Sequence, residues 1–386
     1  MPTRGFAVEE YQRRTRAIQQ HMQAQGIRAL LLTTEPEFRY FSGFLSQFWE
    51  SPTRPWFLVI PDHGQPIAVV PEIGAAGLRQ TWIDDIRSWP APRPADDGVS
   101  LLVEVLTDCC PHNGQLGAML GPETHLRMPA HDFAQLQQSL APRHWVDAAP
   151  ALRAVRSIKS PAEIDKTRFV CEVTAAGFDA LRDQLQPGMT EREACKILHL
   201  AMLGFGADSC PYLVSASGPG GYDNIIMGPT DRRLDAGDVL IIDTGARFDG
   251  YFSDFDRNYA LTHADSAVQK AYDAAYRATE AGLRVAAPGC TTGELWQAMW
   301  NVLSEAGALG NDVGRMGHGL GMQLTEWPSV VPQGDVVLQA GMVMTLEPGM
   351  TFAPGKMMVH EENIVITEQG CELLHRRASA ELPVIS

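Results

Sequence analysis

Asp238-Val-Leu-Ile-Ile-Asp243-Thr-Gly-Ala-Arg-Phe-Asp249-Gly250-Tyr-Phe-Ser-Asp254-Phe-Asp256-Arg257 is the stretch from which the rest of the chain can be read. The apolar run Val239 to Ile242 is too short for a helix and rich in β-branched residues, so it predicts a buried strand. Asp243 ends that strand, and a buried carboxylate without a partner is very costly. Asp249-Gly250 signals a hairpin turn. Centring the turn between Phe248 and Asp249 sets Asp243 opposite Asp254 across the ladder. Two carboxylates so placed repel unless a cation lies between them, so a metal site is the economical explanation. Asp256, two residues on, shares the face of Asp254.

A second hairpin repeats the pattern. Val343-Met-Thr-Leu-Glu347 is an apolar strand ending on an acid, and Met357-Met-Val-His360-Glu361 returns after Pro354-Gly355. Glu347 and Glu361 are symmetric about Pro354 and so face each other. Between the hairpins stands Gly317-His318-Gly319-Leu320-Gly321, whose glycines let the backbone come close to a site while holding one histidine. Asp243, Asp254, His318, Glu347 and Glu361 make a hard, carboxylate-rich donor set. It suits Mn, Fe, Co or Zn as a bridged pair, whereas a structural zinc site would be richer in Cys.

In order and type, Asp243 with Asp254, His318 in GHGLG, Glu347 in TLEPGM and Glu361 in HEENIVIT resemble the metal-ligand set of the pita-bread metallopeptidase superfamily. That superfamily includes methionine aminopeptidase, Xaa-Pro aminopeptidase, prolidase and creatinase. The likeness runs from about Ile158, in IKSPAEI, to about residue 370. It implies an α/β creatinase-like domain over residues 1–155, then an α+β pita-bread catalytic domain over 156–386 with a duplicated antiparallel sheet. It also implies two divalent ions, with Mn first and Co, Zn or Fe as alternatives. Asp254 and Glu361 would bridge them around a hydroxide, Asp243 would complete one ion, and His318 with Glu347 the other. Glu347 would act as general base, and the family expectation is a homodimer.

The rest of the chain fits a protein of two domains. At 386 residues it exceeds one ordinary domain, and its composition is that of a soluble globular protein. A formal net charge of −15 argues against nucleic acid or an anionic membrane as partner. MPTRGFAVEEYQRRTR has no apolar leader core, and no run of 18 apolar residues occurs. Seven cysteines, without a CxxC, read as reduced thiols of a cytoplasmic protein.

Residues 8–26 predict a helix stopped by Gly26. Strands are expected at Ala29 to Thr33, Phe57 to Ile60, Ile67 to Val70 and Leu116 to Leu120, and helices at Leu101 to Leu106 and His131 to Leu140. Residues 87–98 read as a Pro-rich loop, and Leu152 to Pro161 as the crossover between domains. Ser160-Pro161-Ala-Glu163 and Thr190 with Glu193 predict capped helices over 161–184 and 190–204. A strand at Leu213 to Ala216, a loop at Ser217 to Tyr222 and helices at 266–287 and from Thr292 to Gly307 complete the pattern.

Four further residues are candidates for the substrate. Trp49-Glu50-Ser-Pro-Thr-Arg54-Pro-Trp56 resembles a small-anion clamp of Arg54 and Trp49, and in creatinase-like enzymes the partner subunit's N-terminal domain contributes such an arginine. Trp327 is a candidate wall residue, and His360 neighbours Glu361. Departures from the peptidase pattern are equally informative. Thr325 stands where the peptidases carry a second histidine, Ile225 to Met227 occupy the region of a further one, Val359 replaces an arginine, and Asp256 stands where Thr is usual. Transition-state hydrogen bonding then falls to Thr325 or Asp256. The leading expectation is a dinuclear metallohydrolase of the Xaa-Pro peptidase type acting on a small peptide. The alternatives are a relative acting on a small zwitterion, of the ectoine hydrolase, creatinase or DMSP lyase kind, and a binding protein without catalysis.

Overall fold

The computed structural model describes residues 1–311 and 313–386, which divide into two compact units, Thr3–Arg156 and Met1–Pro2 with Ser157–Ser386. The first unit is built on a mixed six-stranded sheet in the order Asp85–Trp89, Ile67–Pro71, Phe57–Pro61, Ile27–Leu32, Gln115–Ala118, His144–Asp147. Its central strands Ile27–Leu32 and Phe57–Pro61 are nearly continuous apolar runs, as strands covered on both faces require. The helix Val8–Gln25 stops at Gly26, whose φ of 73° is the left-handed conformation that glycine adopts without strain.

Several local expectations change. Arg87 to Trp89, expected in a loop, close the strand Asp85–Trp89, because pairing with Ile67–Pro71 outweighs the prolines that follow. The crossover region opens with a short helix, Ala149–Arg156. The strand from Leu213 runs on to Pro219, taking three residues expected in the loop, because its ladder with Asp238–Thr244 continues that far.

The second unit repeats one plan twice: a helix pair, then an antiparallel sheet. Pro161–Arg182 and Glu191–Phe205 precede a four-stranded sheet in the order Val384–Ile385, Phe255–Leu261, Asp238–Thr244, Leu213–Pro219, of which Val384–Ile385 alone pairs in parallel. Ser266–Val285 and Thr292–Glu305 precede a five-stranded sheet in the order Glu326–Ser329, His318–Gly319, Val343–Leu346, Glu362–Ile366, Cys371–Leu373. The helix starts are fixed by side chains. Glu193 Oε2 accepts the Thr190 N–H at 2.8 Å, Thr190 Oγ1 accepts the Glu193 N–H at 3.1 Å, and Thr291 with Glu294 does the same in the other half.

Asp238–Thr244 is buried on both faces. Val239 and Ile241 pack with Ala271, Ala274, Ala275 and Ala278 of one helix, while Leu240 and Ile242 pack with Phe178, Leu181 and Leu198 of the other pair. Alternation places Asp243 on the Val239 face, at the end of the strand.

The register of the first hairpin differs from expectation. Phe248 pairs with Tyr251 and Arg247 with Phe252, so Asp249 and Gly250 are themselves the two loop residues, with φ of 49° and 90°. Positive φ at both positions is the turn that matches strand twist. The same register carries on to set Asp243 opposite Asp256, not Asp254. Between the ladders the strands come very close: a Cβ on Gly245 would lie 1.8 Å from the Ser253 carbonyl oxygen. The second hairpin keeps its expected register. Leu346 pairs with Glu362 and Gly349 with Val359, so Glu347 and Glu361 face each other between them.

Candidate metal centre

The two hairpins and the His318 strand bring their acids together in the second unit. Asp254, His318 and Glu361 each offer a donor atom within 4.8 Å of one another, and so do Asp243, Asp256 and Glu361. Glu361 belongs to both groups. His318 Nε2 lies 3.3 Å from Asp254 Oδ2 and 3.9 Å from Glu347 Oε1, which adds Glu347 to the first group. Asp254, Asp256, His318 and Glu361 are buried, and Asp243 and Glu347 are half-buried.

Backbone constraints place each donor. His318 Nδ1 sits 2.9 Å from the Gly319 carbonyl oxygen, which fixes the proton there and leaves the Nε2 lone pair toward the acids. Gly317 permits this packing, since a Cβ there would lie 2.3 Å from the Thr345 carbonyl oxygen. Asp254 is clamped by one amide: its N–H donates to Asn363 Oδ1 at 3.1 Å, and Asn363 Nδ2 donates to its carbonyl at 2.5 Å. Tyr212 donates its hydroxyl proton to Asp254 Oδ1. Arg257 donates to the carbonyls of Asp256, at 2.9 Å, and Glu361, at 2.6 Å, tying the acid-bearing strands of the two halves together.

Neighbouring acids divide sharply. Glu362 accepts from Arg257 Nη2 at 3.1 Å and from the Ala378 N–H at 2.9 Å, with the rings of His375 and His360 beside it. Burial would raise its carboxyl, but Arg257 and the two histidines hold it below the usual range. Glu361, on the opposite face, has an oxygen with no hydrogen-bond partner among the described residues, and Asp256 has another. Burial first, then the mutual repulsion of the acids, pushes Asp243, Asp256 and Glu361 well above the carboxylate range. Orphaned, buried, converging carboxylate oxygens are what hard donors arranged around a cation present, so the residues fit a pair of divalent ions.

Arg315 was not picked out from the sequence. Its Nε donates to Glu347 Oε1 at 3.0 Å and its Nη2 to Thr325 Oγ1 at 3.1 Å, so one guanidinium joins the cage to Thr325. Burial raises Glu347, against the pull of His318 and Arg315. Burial alone would lower His318, but Glu347 and Asp254 outweigh it and raise it.

The substrate candidates fall in different places. His360, expected beside the substrate, is turned the other way by strand alternation. Its Nδ1 lies 2.9 Å from Thr279 Oγ1 and its ring packs on Tyr272 and Tyr276, with burial pushing its pKa down to about 3. Trp327 is half-buried on the strand paired with His318–Gly319. Ile226 is 81% exposed in a loop. In the first unit, Trp49 packs into an aromatic cluster with Phe38 and Trp56, and the guanidinium over its ring is that of Arg127, at 5.3 Å. Arg54 lies instead over Phe48, at 5.7 Å.

Comparison with known proteins gives this arrangement a family. Residues 165–368 match the model of metallopeptidase family M24, and residues 14–158 match the creatinase/prolidase N-terminal domain. The probable dipeptidase PepE of Mycobacterium tuberculosis is 30% identical over 383 residues, covering 96% of both chains. The crystal structure of dipeptidase PepE from Mycobacterium ulcerans superposes with a TM-score of 0.86 at 28% identity, over 99% of each chain. Recombinant prolidase from Thermococcus sibiricus gives 0.87 at 25% identity, over 97% of this chain and 99% of that one. The α/β unit followed by a duplicated pita-bread unit is therefore the fold, and neither the small-zwitterion alternative nor the inactive one is favoured. No described helix is long and apolar enough to cross a membrane. The chain belongs to metallopeptidase family M24 and is a metal-dependent hydrolase of the peptidase type.

Proposed function

We propose that this protein is a dinuclear metallodipeptidase of the Xaa-Pro type, hydrolysing short peptides with a free carboxylate. The observation that carries it is the pair of donor groups sharing Glu361, with Arg315 linking Glu347 to Thr325 at the rim. Asp243, Asp254, His318, Glu347 and Glu361 would hold two divalent ions, with manganese placed first because the donors are mostly hard oxygens. When bound, such ions supply a nucleophilic water at neutral pH and polarise the scissile carbonyl.

The chain's own groups do the rest. Glu347 takes the proton of the attacking water as the C–O bond forms, and returns it to the leaving nitrogen as the C–N bond breaks. Thr325 accepts from Arg315, so its own hydroxyl proton is free to donate to the developing oxyanion. Arg315, one third exposed, presents positive charge at the rim for the substrate carboxylate. Trp327 walls the site. Seven free thiols support a reducing, cytoplasmic setting.

Peptide release by manganese-loaded protein tests this function. Xaa-Pro and other dipeptides should be cleaved with kcat/KM above ~10⁴ M⁻¹s⁻¹, within the ordinary enzyme range. C-terminally amidated forms should be poor substrates. Protein with both ions bound that cleaves no dipeptide would defeat the proposal.

A further inference from the structure

We propose that Asp256 is itself a metal ligand, which makes the two cation seats chemically unlike. The inference rests on the dinuclear reading above and goes beyond its five-residue donor set. Asp256 lies directly opposite Asp243 in the ladder, and with Glu361 the two acids converge within 4.8 Å. Asp256 is 3% exposed and Glu361 1% exposed, and each keeps one buried carboxylate oxygen without a hydrogen-bond partner among the described residues. The nearest cation on the same strand, Arg257, is spent elsewhere: its guanidinium holds backbone carbonyls and Glu362.

The contrast with the other seat is chemical. Around Asp254, the neutral imidazole of His318 is a softer donor, and Arg315 offsets the charge of Glu347. The Asp243–Asp256–Glu361 seat has three carboxylates and no nitrogen or sulfur donor. Relative to the histidine-bearing seat, such a seat shifts preference from Zn²⁺ toward a hard, oxygen-loving dication, Mn²⁺ or Mg²⁺. The usual threonine at this position would supply no charge. The aspartate therefore adds both a ligand and a selectivity.

The test is Mn²⁺ and Zn²⁺ binding to the chelator-stripped full-length protein, by calorimetric titration and manganese electron paramagnetic resonance, for wild type, Asp256→Thr and the near-isosteric Asp256→Asn. Wild type should take up two Mn²⁺ with the signal of a coupled pair. Both variants should keep one seat and weaken the other by at least ~100-fold, more than loss of an outer-shell partner costs. The signal should become that of isolated Mn²⁺, and Zn²⁺ should lose less than Mn²⁺. The retained seat shows that the variants fold. Two seats of unchanged Mn²⁺ affinity in both variants would overturn Asp256 as a ligand and leave the dinuclear reading standing. A wild type that binds no metal would overturn the dinuclear reading, and this inference with it.

Discussion

The two acid hairpins are built alike and solved differently. In the second, Glu347 and Glu361 face each other on an uninterrupted register, and the fold supplies nitrogen groups beside them, His318 and Arg315. In the first, Asp243 faces Asp256 with no protein cation bonded to either carboxylate among the described residues, while the backbone of Asp254 is clamped by Asn363 from the other half. One half balances part of its charge internally. The other leaves two carboxyls, those of buried Asp256 and half-buried Asp243, that only a foreign cation can satisfy. A repeated fold thus carries an unrepeated site, because charge compensation is set by individual side chains, His318 and Arg315, and not by the order of elements.

The largest break in that comparison should come from Glu361, which both donor groups share, and from Asp254, beside His318. Asp254→Asn and Glu361→Gln keep size but remove a charge from the cage, and each should lose metal and at least ~1000-fold in kcat, the scale of several kcal/mol of transition-state stabilisation. Elemental analysis alongside kinetics checks it. Normal metal content and turnover in either would mean that these acids are not ligands.

Next comes the tie between the halves. Arg257→Met removes two carbonyl contacts and strands Glu362, a buried acid, so it should cost about 3–5 kcal/mol in denaturant unfolding. A loss below about 1 kcal/mol would show that the strands hold their alignment without it.

A pH limb sharpens the same point. His375 Nε2 accepts the Asn363 N–H at 3.2 Å, and burial pushes its pKa down to about 4. The unfolded chain, with a histidine pKa of about 6.5, takes up the proton first. Stability is therefore full above about pH 6.5 and falls as pH drops toward about 4, by up to roughly 3 kcal/mol from this group. Unfolding free energies at stepped pH should show that fall, and His375→Gln should flatten it.

The smallest effect expected is at the rim. Arg315→Ala should raise KM for dipeptides by ~10- to 100-fold, the scale of one charge-assisted hydrogen bond, with metal content unchanged. Equal KM for free and amidated peptides in the wild type would remove the carboxylate role.

Much of this was legible in the sequence, for physical reasons. Apolar runs that end on an acid announce a strand delivering charge to a site, and Asp243 and Glu347 both do so. The glycines around His318 are demanded by contacts as close as 2.3 Å, which marks that loop. The first register was not legible in the expected form, because Asp249-Gly250 fills both loop positions, which shifts every partner by two residues. Arg315 escaped because its partner, Glu347, is 32 residues away and only the fold joins them. Short helices such as Glu35–Ser42 and Glu72–Leu78 span too few turns to show a period. The likeness of the two halves is invisible in sequence because it lies in the order of elements.

Diffraction data at the manganese absorption edge, from crystals of the full-length protein grown with Mn²⁺, test the central claim most directly. Two unlike cation seats predict two anomalous peaks per chain, one contacted by Asp243, Asp256 and Glu361, the other by His318 with Asp254, Glu347 and Glu361. A single peak, or two peaks that Asp256 does not touch, would contradict the account.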